Sequence, residues 1–471
     1  MIYDTNDPNL WKKAFSLLKA DKEYDLYQLY YRGKHRLAYN SEKWRSVFGR
    51  LFRNFSDNLC GAVVDAVCDR LCIEGFGLEK TEGEEAELIA QKVNEDIWQP
   101  NRMDFNAGRI HLNALRDGDS YVIVWPDLAG QPRIYSNEAA LVRVCYDREI
   151  PGQINWAIKA WVDDYGKIRL TWYFADRIEK WVTRNKRQEM PERRDAFAPY
   201  DAAEGNTDDG TWPVVNPYGI VPVFHFANNT SLGNYGVSEL DNAIPIQDAL
   251  NKSVLDLLVG LEHVALPQRW VTGMEVEEDE ITGRPKAPFT PGVDRLWISP
   301  KADVKFGQFD QADLSKVIAI NDSFRMEMAR VTGTPMHYFM LITDPPSGEA
   351  LKALEARLIK KVKDRMGGFG NTWEDIIRFC WQITNGTDVT EAGVRFTTKW
   401  ADPAPTSEKE KAETAEIKGR VGVPQKQLWK EMGYTDAEIL EFEKEADLKA
   451  KKEMDAAIEL ANRAGSAPGG F

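Results

Sequence analysis

Long hydrophobic runs are missing from this chain of 471 residues. The longest apolar region, Val254 to Leu261, is broken by Asp256. It falls far short of the roughly 20 residues that span a bilayer, so no membrane partner is expected. The N-terminal MIYDTNDPNLWKKAF has no basic stretch leading into an apolar segment, and no secretory signal is expected either. Cysteine is scarce: Cys60, Cys68, Cys72, Cys145 and Cys380 form an odd set without a CxxC pair. Neither a disulfide framework nor a zinc clip is signalled, and a reducing cytoplasm fits. Cys68 and Cys72, four apart on an apolar helical pattern, read as buried thiols. Histidine is equally sparse, and His35, His111, His225, His263 and His337 contain no pair at metal-ligand spacing.

Sequence signatures of catalysis are lacking too. There is no GxxxxGK phosphate loop, which argues against a P-loop ATPase, and no HExxH, GxSxG or GxGxxG. Asp163-Asp164 resembles a carboxylate pair, but Tyr165-Gly166-Lys167 follows it between two strand patterns, and turn chemistry explains it. The expectation is therefore a non-enzymatic structural or assembly protein with no catalytic, cofactor-binding or metal-binding residues. The rival reading is a nucleic-acid hydrolase with a dispersed site.

Acid exceeds base, 74 Asp and Glu against 60 Lys and Arg, for a net charge of −14. Overall charge thus excludes tight binding to nucleic acid, which rests on cations neutralising phosphates. Hydrophobic residues at 43% suit a folded chain, and the length suggests about three structural units. Fifteen tryptophans point to large packed or subunit-facing surfaces.

Along the chain, Asp7 and Pro8 open a helix over Asn9 to Lys19. Trp44, Val47, Phe48, Leu51, Phe52, Phe55 and Leu59 make one apolar helical face, with Lys43, Arg45, Arg50 and Arg53 between them. Core packing is the simpler account of that face, and a nucleic-acid patch is the alternative. The helical period continues to Gly75, a candidate C-cap. Helices follow over Glu84 to Trp98 and Met103 to Arg116. The period then changes to two. Ser120 to Trp125, Leu141 to Tyr146, Ile154 to Val162, Ile168 to Phe174 and Ile178 to Thr183 predict an antiparallel β region inserted into a helical framework. Residues 185–210 read as an exposed loop, and Ile220 to Phe226 as a strand that Pro222 keeps at an edge.

Ser238 to Val264 is a strong amphipathic helix that Pro245 either starts or kinks. From Pro267 to Phe309 the pattern dissolves among Gly, Pro and short β-like pieces. A second helix spans about Asp313 to Val331 and stops at Thr332-Gly333-Thr334-Pro335. A third begins at Ser347, carrying Leu351, Leu354, Leu358, Val362 and Met366. Its opposite face bears Lys352, Arg357, Lys360, Lys361, Lys363 and Arg365, read as a solvated or intersubunit face with DNA contact as the alternative. Pro403 to Ala464 is Lys/Glu-rich with short helical patterns, and the tail from Gly465 to Phe471 is frayed.

Four segments make the order of elements resemble the portal proteins of tailed bacteriophages, especially the branch typical of long, non-contractile-tailed phages. They are NLCGAVVDAVCDRLCIEGF (Asn58 to Phe76), RIHLNALRDGDSYVIVWP (Arg109 to Pro126), YGIVPVFHFANN with YGVSELDNAIPIQDALNKSVLDLLVGLEHVALPQRW (within Tyr218 to Trp270), and Met328 to Phe379 with its TGTP stop and SGEALKALEARL start. The resemblance covers roughly residues 20 to 400. It implies an α+β portal-type fold with mainly α-helical stem, wing and crown, an antiparallel β region in the wing and a small α/β clip. The wing would be 1–237, the first stem helix 238–266, the clip 267–309 and the second stem helix 310–332. The tunnel loop would be 333–346, the long wing helix with its following strand 347–402, and the crown with the C-terminal tail 403–471.

The same resemblance implies a dodecameric homo-oligomeric ring at one capsid vertex of the virion, assembled in the host cytoplasm. Double-stranded DNA would pass through it, and the other partners would be the terminase large subunit, a head-to-tail adaptor, and the major capsid and scaffolding proteins; the alternative is a capsid-associated structural or adaptor protein without a DNA channel. DNA-channel candidates in the tunnel loop are Met336, His337, Tyr338, Phe339, Met340, Thr343 and Asp344. This loop contains no Lys or Arg that would grip moving DNA. Core packing is the alternative for Tyr338, Phe339 and Met340. Clip candidates for motor or adaptor docking are Trp270, Glu275, Glu277, Glu278, Asp279, Glu280, Arg284 and Trp297.

Overall fold

The computed structural model describes residues 3–19, 23–36, 57–79, 84–187, 189–191, 193–200, 212–265, 269–273, 298, 303–308, 315–340, 347–386, 395–404, 408–434, 438–445, 448, 451, 452 and 454. The chain forms two units, Met1–Pro403 and Ala404–Phe471. The predicted 44–55 helical face lies outside the described residues.

Helix α1 (Pro8–Leu18) starts where the sequence predicts, because the Asp7 carboxylate accepts from the Asn9 N–H at 2.9 Å and proline occupies the first turn. After α2 (Tyr24–Tyr31), α3 (Cys60–Cys68) ends seven residues before the expected glycine cap. Gly75 belongs instead to strand β1 (Ile73–Glu79), where it adopts φ +155°. That strand pairs antiparallel with β13 (Arg395–Trp400) near the far end of the unit. Helix α4 (Glu84–Lys92) runs into a π-helical turn, Val93–Trp98, and α5 (Met103–Asp117) follows.

Gly118 closes α5 with φ +85° and leads directly into β2 (Asp119–Pro126). Gly236 packs against the Gly118 carbonyl so closely that no side chain fits at 236. Strand β2 is the middle of a three-stranded antiparallel sheet between β3 (Pro132–Glu138) and β10 (Val223–Ala227). Pro222 thus precedes an edge strand, as expected.

The second sheet comprises β4 (Val142–Tyr146), β5 (Ile154–Val162), β6 (Ile168–Tyr173), β7 (Arg177–Thr183) and β8 (Phe197–Pro199) in that order, with β9 (Val214–Val215) also on β7. Helix α1 covers it, burying Trp11 and Phe15 among Trp156, Trp172, Trp181 and Phe197. Asp163 is a turn residue: one oxygen accepts from the Tyr165 and Lys167 N–H groups and the other pairs with Arg169.

Helix α6 (Ile244–Ala265) carries Pro245 as its second residue, so this proline sits in the first turn and does not kink the helix. Strands β11 (Arg269–Thr272) and β12 (Lys305–Gln308) form a two-stranded antiparallel pair, with Trp270 opposite Gly307. Then come α7 (Ser315–Thr332) and the long α8 (Gly348–Asn385), capped by the Ser347 hydroxyl on the Ala350 N–H and closed by Gly386 at φ +71°. Leu358, Val362, Met366, Phe369, Trp373, Ile376 and Cys380 recur at spacings of three and four and are buried. They join α3, α5, β2 and the π-turn in the main core. The N-terminal end departs from the predicted stripe: Leu354 is 53% exposed and Glu355 is buried. The second unit contains α9 (Glu408–Val421) and α10 (Gln425–Glu431). The fold class is α+β with antiparallel sheets, as the sequence predicts.

Candidate functional site

The chemistry-bearing side chains gather where the turn before α6, the C-terminal end of α7 and the first half of α8 meet. Helix α7 stops at Thr332 because Gly333 takes φ +70°. Its last carbonyls need donors, and cations of α8 supply them: Arg357 Nη1 donates to Arg330 O at 3.0 Å, and Lys361 Nζ to Thr332 O at 3.0 Å. Lys361 also pairs with Glu239 at 2.5 Å, and Arg365 reaches the same carboxylate at 2.8 Å. Burial pushes Glu239 up, but the charges of Lys361 and Arg365 outweigh it and hold the carboxyl below its usual range. Lys361 and Arg365 therefore turn inward onto their own chain. This corrects the solvated, intersubunit and DNA-facing readings for Lys361 and Arg365, while Arg357, Lys360 and Lys363 are exposed.

One turn earlier, the buried Glu355 accepts from Arg70 at 3.1 Å and faces His337 Nε2 at 3.2 Å. Arg70 also lies over the Tyr338 ring at 5.8 Å. A third polar group sits between the sheets. Tyr24 Oη donates to Asp119 Oδ2 at 2.8 Å, Gly236 N donates to Asp119 Oδ1, and His225 Nε2 lies 2.9 Å from that oxygen. The Tyr146 hydroxyl, whose pKa burial raises, lies 2.6 Å from His225 Nδ1. The carboxylate, imidazole and phenol stand in a relay-like line, but the side chains of His225 and Asp119 are 1% and 0% exposed. No substrate reaches them, and the line clamps α2, β2, β4 and β10 together. Among the described residues, no three His, Cys, Asp or Glu side chains converge as metal ligands, and no helix is long and apolar enough to cross a membrane.

The family model described as "Phage portal protein, SPP1 Gp6-like" matches residues 20–454. The chain belongs to this portal protein family. It is 28% identical over 393 residues to the portal protein of Mycobacterium phage D29, covering 80% of this chain and 75% of the relative. Identity to the portal protein of Mycobacterium phage L5 is 27% over 390 residues, covering 79% and 74%. Among solved structures, a chain of the neck of a native gene transfer agent particle, computed with C12 symmetry, aligns at a TM-score of 0.44 and 11% identity. That alignment covers 85% of this chain and 96% of the other. A chain of the virion of the native particle aligns at 0.44 and 11%, covering 88% and 99%.

In this portal family member the channel candidates divide. Met336, His337 and Tyr338 form a single 3-10 turn directly after α7. Phe339 is buried in the main core and Tyr338 packs against it. Those two side chains stabilise the fold, whereas Met336, His337 and Met340 are half-buried. Thr343 and Asp344 lie outside the described residues. Of the clip candidates, Trp270 is 36% exposed on β11. Glu275, Glu277, Glu278, Asp279, Glu280, Arg284 and Trp297 lie outside the described residues. Sequence reasoning missed Glu239, Glu355 and Arg70. Glu239 stands inside YGVSELDN, and a carboxylate beside a helix start facing an unmatched basic stripe was the available signal.

Proposed function

We propose that this portal family member assembles as a ring of twelve copies at one capsid vertex, a non-enzymatic channel through which double-stranded DNA enters during packaging and leaves during ejection. The observation that carries the reading is the family match over residues 20–454. The helix pair supports it: Leu261 on α6 and Ile318, Ile320 and Met326 on α7 are 46–52% exposed in a single chain. Apolar side chains so placed are covered when copies pack side by side. Residues 1–237 then form the wing, α6 and α7 the stem, 267–309 the clip, 333–346 the tunnel loop, 347–402 the long wing helix with its strand, and 403–471 the crown.

The clip is the docking surface for the terminase large subunit during packaging and for the head-to-tail adaptor afterwards. The wing and crown face the major capsid and scaffolding proteins. Assembly takes place in the host cytoplasm and the finished ring stays in the virion. Force comes from the motor's ATPase, since this sequence has no phosphate loop. An acidic ring surrounds a polyanion without gripping it, because few phosphates are neutralised.

Deleting residues 341–346 tests the channel. This deletion spares Phe339 and the 3-10 turn, so rings are expected to form while particles fail to package or retain DNA. Full genomes in such particles would favour a capsid-associated protein without a channel.

A further inference from the structure

Two buried amides, Gln247 and Asn251, join the first half of α6 to the chain that enters α3. Gln247 Oε1 accepts from the Leu59 N–H at 2.8 Å, and its amide donates to Asp57 O at 2.5 Å. One turn on, Asn251 Oδ1 accepts from the Asp57 N–H at 3.0 Å. That backbone donor fixes which way the Asn251 amide points, and leaves Nδ2 to meet His35 Nε2 at 3.0 Å. An amide nitrogen donates and does not accept, so His35 is the acceptor here, a neutral ring with its proton on Nδ1. The ring is 7% exposed and stacks on Tyr30 at 3.9 Å and 5°.

We infer that His35 is an acid-sensitive release for the first half of α6. A proton on Nε2 sets N–H against the Asn251 NH2 group. If the amide turns round to accept from the ring, it sets that NH2 group against the Asp57 N–H. Either way the seam loses one of the two Asn251 hydrogen bonds. The ionisable groups around it, among the described residues, come from four elements. Tyr30 of α2 donates to Asp248 of α6 at 2.6 Å, and Asp57 pairs with Arg325 of α7 at 2.8 Å. Cys60 of α3 faces Gln247 Oε1, its thiol pushed up to about 12 by burial. Lys252 of α6 pairs with Asp256, and Lys34 and Arg36 flank His35 in sequence. Asp248 favours the charged ring, but burial outweighs it and lowers the pKa of His35. A released ring titrates near 6.5. The seam is therefore intact above about pH 6.5 and weakens as pH falls below that value. The inference goes beyond the portal reading and does not depend on it.

The test is hydrogen exchange read by mass spectrometry on the purified full chain at pH 7.5 and pH 5, corrected for the intrinsic effect of pH. Amides 57–59 are expected to lose about 10-fold in protection at pH 5, while those of β5 and β6 keep theirs. His35→Gln supplies an acceptor that does not titrate, and Asn251→Asp supplies a carboxylate that accepts from both N–H groups. In each variant the acid loss should shrink below about 2-fold. If Asn251→Asp does not fold by circular dichroism, His35→Gln alone decides. Nuclear magnetic resonance of the histidine-labelled parent at pH 7.5 should show a ring protonated on Nδ1 that His35→Gln removes. A removed ring protonated on Nε2 would overturn the proposal, as would equal protection of 57–59 at both pH values. An acid loss that persists in a folded variant, or that is as large in β5 and β6, would overturn it too.

Discussion

Helices α7 and α8 both carry apolar side chains at helical spacing, yet their surroundings are opposite. On α8, Leu358, Val362, Met366, Phe369, Trp373, Ile376 and Phe379 are all buried within one chain. On α7 only Met328 among the apolar side chains is buried, while Ile318, Ile320 and Met326 stand about half exposed. Burying such a side chain contributes about 1.5–3 kcal/mol. The single chain collects that stabilisation on α8 and leaves much of it uncollected on α7. Between the two lies the Glu239 junction, where α8 cations cap α7 and fix one helix against the other. The difference separates a helix that makes the chain fold from one whose apolar face stays exposed in the single chain.

The largest expected effect strikes the folded side of this contrast. Trp373→Ala empties the centre of the main core, and chemical denaturation should register a loss of about 3–5 kcal/mol. A loss under about 1 kcal/mol would show that α8 is not the organiser. Glu239→Gln leaves Lys361 and Arg365 buried around a neutral amide, for an expected loss on the order of 3 kcal/mol. If stability is unchanged, the junction does not fix α7 to α8.

Next comes pH. His111 lies in the main core, its Nε2 accepting from Trp373 Nε1 at 2.8 Å, and burial lowers its pKa to about 4. The unfolded imidazole titrates near 6.5. As pH falls below that value, the unfolded chain takes up a proton that the native chain refuses. Stability is therefore fully present above about pH 6.5 and falls by roughly 2–4 kcal/mol on descent to about pH 4. Nuclear magnetic resonance should find the ring neutral at pH 5, and a midpoint near 6.5 would contradict this. The smallest effect on folding belongs to Ile320→Glu on the exposed face of α7. Its denaturation midpoint should stay within about 0.5 kcal/mol of the parent, while assembly is lost.

Local pattern made most elements legible. The capped starts of α1 and α8, the glycine stop of α7 and the period-two strands from β4 to β7 are where the sequence places them. What escaped was set by distant partners. Strand β1 contains Gly75 and Gly77, which weaken any strand signal, and its partner β13 lies at the other end of the unit. The stripe at the start of α8 predicts Leu354 inside, but the needs of Arg70 and His337 put Glu355 there. The basic stripe was visible as charge, while its acceptors, Glu239 and the ends of α7, became neighbours only on folding. The sequence likewise could not divide the run from Met336 to Met340, because the aromatic that enters the core and the residues that remain at its edge belong to one short turn.

Helix α7 is expected to be completed only when copies of the chain meet. Native mass spectrometry with top-view electron microscopy of the purified protein tests it most directly. Closed rings of about twelve copies are expected, reduced to single chains by Ile320→Glu. A parent protein that stays monomeric or dimeric under all conditions would contradict it.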